Sequence, residues 1–224
     1  MTSAPPISPA LIPNFETVLV GYTLENTWKI QAYREEVASG IIRIPTLAFE
    51  ATDSNNRKAL VKVLDLRVND DAPDELKDLE MRLKVFNYQR ELIERLAREK
   101  LHGVVRGLHA GSIPFPGAPL GRVYYLIFEW SDDDLRSQVT LHERFDVGYA
   151  LRVLHQAATG LHELHFRQIA HQSVRPANVV FLADRVLGRR KCCRLRLGAT
   201  PEATRSLPAP GELSAARRSS CDCM

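Results

Sequence analysis

Short apolar runs rich in β-branched and aromatic residues recur in the first third of the chain. They occupy residues 18–20, 28–30, 41–44, 46–49 and 60–66. Runs of this length and composition are typical of β-strands in an antiparallel sheet. A polar turn at residues 53–56 lies between the last two runs, so these two are predicted to form a hairpin.

The spacing of apolar positions becomes helical between residues 73 and 100. The apolar residues there are Leu76, Leu79, Leu83, Phe86, Ile93, Leu96 and Ala97. Steps of three and four place them on one face, which predicts a single long amphipathic helix. Strand-like runs return at residues 104–108 and 123–130, separated by a loop rich in Gly and Pro at 111–121.

A second helix is predicted over residues 145–166. Its apolar stripe consists of Val147, Leu151, Leu154, Ala158, Leu161 and Leu164. The order strands, helix, strands, acidic connector, helix predicts an α+β fold in two parts that join near residue 131. We expect part of the stripe to be exposed and to favour self-association.

The two ends of the chain differ from its middle. Residues 1–15 contain four prolines, which predicts an extended leader. Residues 184–224 are rich in Arg, Cys, Ser and Ala without a sustained period, so a disordered tail is expected.

The net charge of +3 conceals an uneven distribution. Residues 1–184 carry 21 Lys and Arg against 24 Asp and Glu, a balance of −3. Residues 185–224 carry 9 against 3, a balance of +6. A basic tail can attract nucleic acid or acidic surfaces, but this one lacks interleaved aromatic residues. Nucleic-acid binding is therefore not favoured.

Two groups of residues could suggest a metal site. The cysteines are Cys192, Cys193, Cys221 and Cys223, and their spacing does not match the usual zinc patterns. The histidines are His155, His162, His165 and His171, with no carboxylate arranged beside them. We therefore expect no bound metal.

The chain has no apolar run that approaches the length of a membrane span. Residues 1–13 contain prolines instead of the apolar segment of a signal peptide. A cytoplasmic location without a membrane partner is therefore expected.

The clearest chemical signature is the stretch IAHQSVRPANVVFL, residues 169–182. It resembles the catalytic loop of a protein kinase, whose form is His-Arg-Asp-x-Lys-Pro-x-Asn. The matching residues are His171, Pro176 and Asn178, and the departing ones are Gln172, Ser173 and Arg175. The chain thus resembles a bacterial kinase-like protein of the serine/threonine kinase superfamily, degenerate and truncated in the C-terminal lobe.

The departures from the loop pattern bear on phosphoryl transfer. In kinases the loop Asp accepts a proton from the substrate hydroxyl, whereas Ser173 carries no negative charge at neutral pH. Arg175 keeps the charge of the loop Lys but not its compact ammonium group. Asn178 keeps an oxygen for magnesium, but a lone Asn does not hold the metal without a carboxylate. The resemblance therefore implies impaired catalysis.

The stretch RKALVKVLD is similar to the kinase strand that carries the nucleotide lysine, here Lys62. The resemblance implies that Lys62 holds the α- and β-phosphates; the alternative is an ordinary strand-end lysine in solvent. Its acidic partner is expected on the following helix, where Gln89 has the family's spacing to Ile93 and Leu96. Glu91 lies about 200° around the helix from Gln89, so the usual ion pair is not expected.

The stretch VYYLIFEWSDDDL looks like the kinase strand that runs into the hinge. By this resemblance Phe128 is the gatekeeper, Glu129 to Ser131 supply the backbone that contacts adenine, and Asp134 contacts the ribose. Alternatively, residues 132–134 form a solvated acidic turn or a cluster of charges at a helix N-terminus.

Two kinase features are missing from the sequence. The glycine-rich loop needs three spaced glycines, but this region contributes only Gly40, near the repelling carboxylates of Glu35 and Glu36. No Asp-Phe-Gly motif follows the catalytic loop, since the downstream aspartates are Asp184, which is too near, and Asp222. Weak or lost ATP binding is therefore expected, without Mg²⁺.

The resemblance covers residues 18–183 and implies a kinase-like α+β fold. An antiparallel β-sheet N-lobe with one long helix is expected over 16–130, and a truncated, mainly helical C-lobe over 131–183. The implied function is a catalytically impaired pseudokinase that acts as a binding or regulatory module for a protein partner.

Two alternative functions stay open. One is a serine/threonine kinase that uses ATP and takes its missing residues from outside this chain. The other is a binder of nucleic acid or acidic surfaces through the basic tail.

Overall fold

The computed structural model describes residues 14–34, 46–66, 75–99, 101–116, 118–131, 133–141, 146–171, 173–183 and 191–195. Within these ranges the chain forms a six-stranded antiparallel sheet, a three-stranded antiparallel sheet and two long helices. The predicted α+β class is confirmed.

The six-stranded sheet has the strand order β1-β2-β3-β4-β6-β5. Its strands are β1 (Thr23–Leu24), β2 (Trp28–Arg34), β3 (Thr46–Thr52), β4 (Lys58–Leu64), β5 (Gly107–Pro114) and β6 (Arg122–Glu129). The predicted hairpin is the pair β3 and β4. In the turn of this hairpin, the Asp53 carboxylate accepts hydrogen bonds from the N–H groups of Asn55 and Arg57 at 3.0 and 2.8 Å.

Alternation of side chains gives the six-stranded sheet two distinct apolar faces. One face and α1 (Phe15–Val18) enclose what we call the sheet core. Its members include Phe15, Leu24, Ile30, Phe49, Val61, Val63, Tyr125 and Ile127. The opposite face contributes to what we call the junction cluster, formed by Ala48, Leu60, Leu64, Leu66, Phe86, Ile93, Val105, Leu126, Phe128, Val180 and Leu182.

The first long helix, α2 (Glu75–Glu99), confirms the helix predicted over 73–100. Phe86 and Ile93 join the junction cluster, so this side of α2 covers the sheet. Leu92 and Leu96 pack instead with Leu164, a residue of the second long helix. α2 therefore connects the six-stranded sheet to the second part of the chain.

The second part combines helices with the smaller sheet. Its elements are β7 (Asp133–Asp134), α3 (Leu135–Leu141), α4 (Val147–Phe166), β8 (Val179–Ala183) and β9 (Lys191–Leu195). The strand order is β7-β8-β9. α4 begins after Asp146, whose carboxylate accepts the N–H of Tyr149 at 2.8 Å as an N-cap.

Two glycines bring the parts of the fold into backbone contact. Gly103 lies just before β5, and Gly160 lies on the buried side of α4. A Cβ atom on Gly160 would lie 2.5 Å from the carbonyl oxygen of Gly103, so neither position has room for a side chain. The same carbonyl accepts the N–H of Leu195 at 2.9 Å, which adds β9 to this contact.

The strand predictions needed two corrections. Residues 18–20 do not form a strand, because Phe15 and Leu19 are buried at helical spacing in and after α1. The strand predicted over 104–108 is β5, which continues into the predicted loop 111–121. Its glycines, Gly107 and Gly111, are strand residues because Ile93 and Tyr125 leave no room for a Cβ atom.

The structure also differs from the C-terminal predictions at several points. The expectation of disorder over 184–224 is wrong for Lys191–Leu195, which forms β9. The expected mainly helical C-lobe also contains a three-stranded sheet, and α3 was not predicted. The predicted leader up to residue 13, the run 41–44 and Gly40 lie outside the described residues.

The apolar stripe predicted on α4 is divided between core and solvent. α4 buries Val153, Ala157, Gly160 and Leu164. Of the predicted stripe, Leu164 is buried and Leu161 is half-buried against the core. Three large members are exposed, with exposed fractions of 71% for Val147, 61% for Leu151 and 63% for Leu154. The buried face of α4 is therefore rotated about the helix axis relative to the predicted stripe, so that the two share only the C-terminal end of the helix.

The turn between β1 and β2 is held by a carboxylate. Glu25 and Asn26 both have left-handed backbone conformations, with φ of 51° and 52°. The Glu25 carboxylate accepts a hydrogen bond from the Tyr125 hydroxyl and lies 3.0 Å from Nε2 of His109. The Tyr125 hydrogen bond lowers the pKa of Glu25; partial burial opposes this effect and the charge of His109 reinforces it.

We predict that Glu25→Gln lowers the free energy of unfolding at neutral pH. Because the folded-state pKa is depressed, the stabilisation is present above the ordinary value of 4.5 and is lost as the pH falls through the folded-state pKa. Denaturant unfolding from pH 7 to pH 3 measures this, and the wild-type advantage should shrink in acid. The exposed carboxylate of Glu91 provides the control, Glu91→Gln. An equal deficit for Glu25→Gln at every pH would contradict the prediction.

We predict that Gly160→Ala destabilises the fold by about 1–3 kcal/mol, the usual cost of overpacking. Alanine favours a helix over glycine by about 1 kcal/mol, so a net loss would show that the contact with Gly103 dominates. Thr159→Ala, at the exposed neighbouring position on α4, should be neutral or slightly stabilising. Thermal and denaturant unfolding of both variants measure the difference. Higher stability of Gly160→Ala would refute the contact.

Candidate functional site

The predicted catalytic loop forms a compact, internally bonded turn. Its short 3₁₀ segment, Pro176–Asn178, follows Arg175 and leads directly into β8. The Asn178 side chain is buried and donates to the carbonyl oxygen of Ser173 at 2.8 Å and to its hydroxyl oxygen at 3.1 Å. These bonds bring together two of the residues selected from the sequence.

His171 lies at the buried start of this loop, with an exposed fraction of 1%. The Ser173 N–H donates to the His171 carbonyl at 2.8 Å and lies 3.3 Å from its Nδ1. His171 is therefore part of the loop's internal structure. His155, His162 and His165 are instead exposed on α4.

Arg175 has an extended backbone, with φ of −156° and ψ of 160°, and a half-buried side chain. Its carbonyl accepts the N–H of Asn178 at 2.9 Å. The long planar guanidinium thus starts from the same turn as Ser173 and Asn178. The turn presents a cation and neutral polar groups, but no carboxylate.

Lys62 lies on the face of β4 that alternation predicts. Val61 and Val63 point into the sheet core, whereas Leu60 and Leu64 belong to the junction cluster. Since period two puts Lys62 on the side of Leu60 and Leu64, its half-buried side chain starts from the junction face. In register, Lys62 lies between Ala48 of β3 and Leu126 of β6.

Gln89 lies on the part of α2 that faces the sheet. It is half-buried and lies between Phe86 and Ile93, both members of the junction cluster, at helical spacing. Glu91 is exposed. The position that would hold the partner of Lys62 therefore carries a neutral amide.

Phe128 and Glu129 end β6 on opposite faces. Phe128 is buried in the junction cluster opposite Leu60. The Glu129 N–H donates to the Arg106 carbonyl at 2.9 Å, and its carboxylate accepts the Arg106 N–H at 2.8 Å and pairs with the guanidinium of Arg194 on β9. Within the 129–131 backbone expected to contact adenine, the Glu129 N–H is thus bonded inside the protein.

The acidic run after β6 is the start of a helix. The Asp134 carboxylate accepts the N–H of Ser137 at 2.8 Å and its hydroxyl at 3.0 Å, which caps α3. Asp133 accepts a bond from Gln138 and one from the Asp134 N–H. A helix N-terminus, one of the alternatives for this run, is therefore present, and the ribose contact of Asp134 stays a prediction. Ser131 is half-buried just before this run.

Two residues that sequence analysis missed lie at this site. Arg194 was assigned to a disordered tail, and its partner Glu129 precedes it by so many residues that no local pattern links them. Trp130 was treated only as part of the hinge. Its indole ring lies under two cations, with the Cζ atom of Arg34 4.9 Å and the Nζ atom of Lys58 5.2 Å from the ring centroid.

Two features are absent from the described residues. These residues contain no group of three or more His, Cys, Asp or Glu side chains arranged to hold a metal ion. Among the same residues, no helix combines the length and apolar character needed to cross a bilayer.

A partial similarity connects the chain to a kinase. Over 73 residues it is 38% identical to "Cell division control protein 2 homolog 2" of Trypanosoma brucei brucei. The match covers 29% of this chain and 21% of that protein. No protein-family model matches the chain. With the antiparallel sheet and long helix, this supports a kinase-like character in coarse terms.

We predict that Arg194→Ala destabilises the fold by about 1–3 kcal/mol, because it leaves the Glu129 carboxylate short of a partner. The two side chains are only 24% and 18% exposed. Arg95→Ala provides the control. Arg95 is exposed and pairs with Glu99 at 3.5 Å, so its substitution should lower the free energy of unfolding by about 0.5 kcal/mol or less. Denaturant unfolding of both variants measures the difference, and equal losses would contradict the prediction.

Proposed function

We propose that this chain is a protein kinase-like module of the pseudokinase type, which binds or regulates a protein partner and does not transfer phosphate. The observation that carries the proposal is the neutral pair of Ser173 and Asn178 in the loop that resembles a catalytic loop. The two are bonded to each other at 2.8 and 3.1 Å.

A general base needs a group that can accept a proton near neutral pH. The Ser173 hydroxyl is a poor acceptor, and it is already within bonding distance of the Asn178 amide. His171 is buried and its backbone and ring meet the Ser173 N–H. The loop therefore offers no carboxylate that could orient an incoming alcohol.

The residues around this loop do not fit Mg²⁺, which prefers oxygen ligands that include carboxylates. The Asn178 amide nitrogen donates hydrogen bonds to Ser173. Its amide oxygen is therefore the one group of Asn178 that could bind Mg²⁺, and it is neutral. In the sequence, the residues that follow β9 are Arg196, Leu197 and Gly198. In sequence, Arg196 thus occupies the position at which an Asp-Leu-Gly variant of the kinase metal motif has its Asp.

The helix position expected to carry the glutamate for Lys62 carries Gln89 instead. In active kinases a Glu on the helix fixes the nucleotide lysine through an ion pair. Gln89 has no charge to attract Lys62, and the neighbouring Glu91 points to solvent. This substitution favours a role for Lys62 in structure over a role in phosphate binding.

A binding role is favoured by the apolar surface of α4. Val147, Leu151 and Leu154 are exposed along one side of the helix, and removal of such surface from water stabilises protein contacts. We therefore propose a protein partner, or a further copy of this chain, as the ligand of the module, and the cytoplasm as its location.

We predict no phosphoryl transfer when the chain is incubated with labelled ATP, Mg²⁺ and generic protein substrates. The reason is that Ser173 replaces the base, that no metal carboxylate follows the loop in sequence, and that Gln89 stands where the helix glutamate is expected. Ser173→Asp alone should not restore activity, and neither should the pair Ser173→Asp with Gln89→Glu, because the metal carboxylate is still missing. Turnover by the wild-type chain that disappears in Lys62→Ala would reject the proposal in favour of a working kinase.

A further inference from the structure

The exposed apolar positions of α4 follow a regular spacing. We define the α4 seam as six positions that alternate in steps of four and three residues along this helix: Val147, Leu151, Leu154, Ala158, Leu161 and His165. All are exposed except Leu161, which is half-buried at the edge of the core. Alternating steps of four and three are the spacing at which two helices pack along a shared line of contact. The α4 seam can therefore contact a second helix over its whole length.

The α4 seam contains no Lys, Arg, Asp or Glu. The exposed histidines His155 and His162 lie beside it on the same side of the helix. The charged residues of α4 are Arg152 and Glu163, which lie about 140° and 160° around the helix from the midline of the seam. A partner with a strongly charged face would find no opposite charge here, whereas an uncharged face is compatible with a copy of itself.

The spacing of the α4 seam is symmetric about Gln156. If a second copy lies antiparallel with the two-fold axis at this residue, each seam position faces another seam position. The resulting pairs, each made twice, are Val147 with His165, Leu151 with Leu161, and Leu154 with Ala158. At the centre a large side chain thus faces a small one, which lets the two helices approach closely and interdigitate.

We propose that the protein partner of this module is a second copy of the chain, bound antiparallel through the α4 seam. The proposal rests on the proposed function and deepens it, because it selects one of the two ligands named there and gives its orientation. The observations that support it are the exposure of the seam, its lack of Lys, Arg, Asp and Glu, and its symmetric spacing.

The length of the α4 seam sets the strength expected of this contact. From its first to its last position the helix rises about 27 Å. A strip of that length and about 10 Å wide removes on the order of 500 Å² from water on each copy, near the low end for specific interfaces. We therefore expect a reversible dimer with a dissociation constant of about 1–100 µM.

Sedimentation equilibrium of the full chain between about 5 and 500 µM measures this self-association. Leu154→Lys and Ala158→Glu each place a charge at the centre of the contact without an opposite charge to meet it. Each substitution should therefore weaken dimerisation at least about tenfold. Both positions are exposed on α4, so we expect the circular dichroism spectrum of the monomer to be unchanged.

A mixture of these two variants tests the orientation. In the antiparallel heterodimer the introduced lysine and the introduced glutamate face each other, and the other central pair keeps the native Leu154 and Ala158. The mixture should therefore form heterodimers at least about tenfold tighter than the homodimers of either variant. A parallel arrangement would place each position opposite itself and would bring no such pair together.

Thr159→Glu provides the control. Thr159 is exposed on the same helix and adjoins Ala158, but it lies about 120° around the helix from the midline of the seam. A charge added there stays in solvent, so the dissociation constant should remain within about threefold of the wild-type value.

Three outcomes would overturn the proposal. The first is a wild-type chain that is monomeric at about 500 µM, which would leave the face to a different protein. The second is a dimer that both central substitutions leave intact, and the third is a mixture that forms no tighter heterodimer. None of them touches the proposed loss of phosphoryl transfer, which the assay with labelled ATP tests separately. A wild-type chain that dimerises through the seam and also transfers phosphate would reject the proposed function and retain the dimer.

Discussion

The close backbone contact between Gly103 and Gly160 is the constraint on which the rest of the fold depends. It lets α4 approach the segment before β5 so closely that the Gly103 carbonyl can also accept the N–H of Leu195 on β9. α4, the segment that leads into β5, and β9 therefore meet at one carbonyl oxygen. Any side chain at either glycine would push the two sheets apart, and the junction cluster between them would lose its buried contacts.

Electrostatic contacts extend this constraint along the junction. At the end of β6, the Glu129 carboxylate accepts the Arg106 N–H and pairs with Arg194. At the ends of α4 and α2, Arg167 pairs with Glu99. These bonds lie at the edges of the junction, and the apolar cluster lies between them. Half-buried ion pairs at such edges fix geometry more than they add stability. The two sheets are thus held at a fixed separation, which leaves the interior of the junction for side chains of the protein.

Local periodicity predicted the face of Lys62 and the long helix that carries Gln89, because both depend only on neighbours within one element. It misplaced β5, since Gly107 and Gly111 look like loop residues until Ile93 and Tyr125 are brought against them. It identified Leu161 and Leu164 on the packed side of α4 but missed Val153 and Ala157, because apolar residues lie on two sides of that helix and only tertiary packing selects one. The neutral Ser173 was visible in sequence, whereas the partnership of Glu129 with Arg194 joins distant segments that share no motif.

The substitutions on which the proposed loss of phosphoryl transfer rests also fit a closed junction in electrostatic terms. A metal-binding site brings carboxylates together, and without the cation their repulsion and desolvation oppose folding. In this chain, Ser173 stands where the resembled loop has a carboxylate, and its carbonyl and hydroxyl oxygens accept hydrogen bonds from Asn178. Gln89 likewise carries no charge. The loop can therefore be stable without metal or nucleotide. Under the proposed function the cleft binds no anion and has no need to stay open, so apolar closure and loss of charge would favour each other.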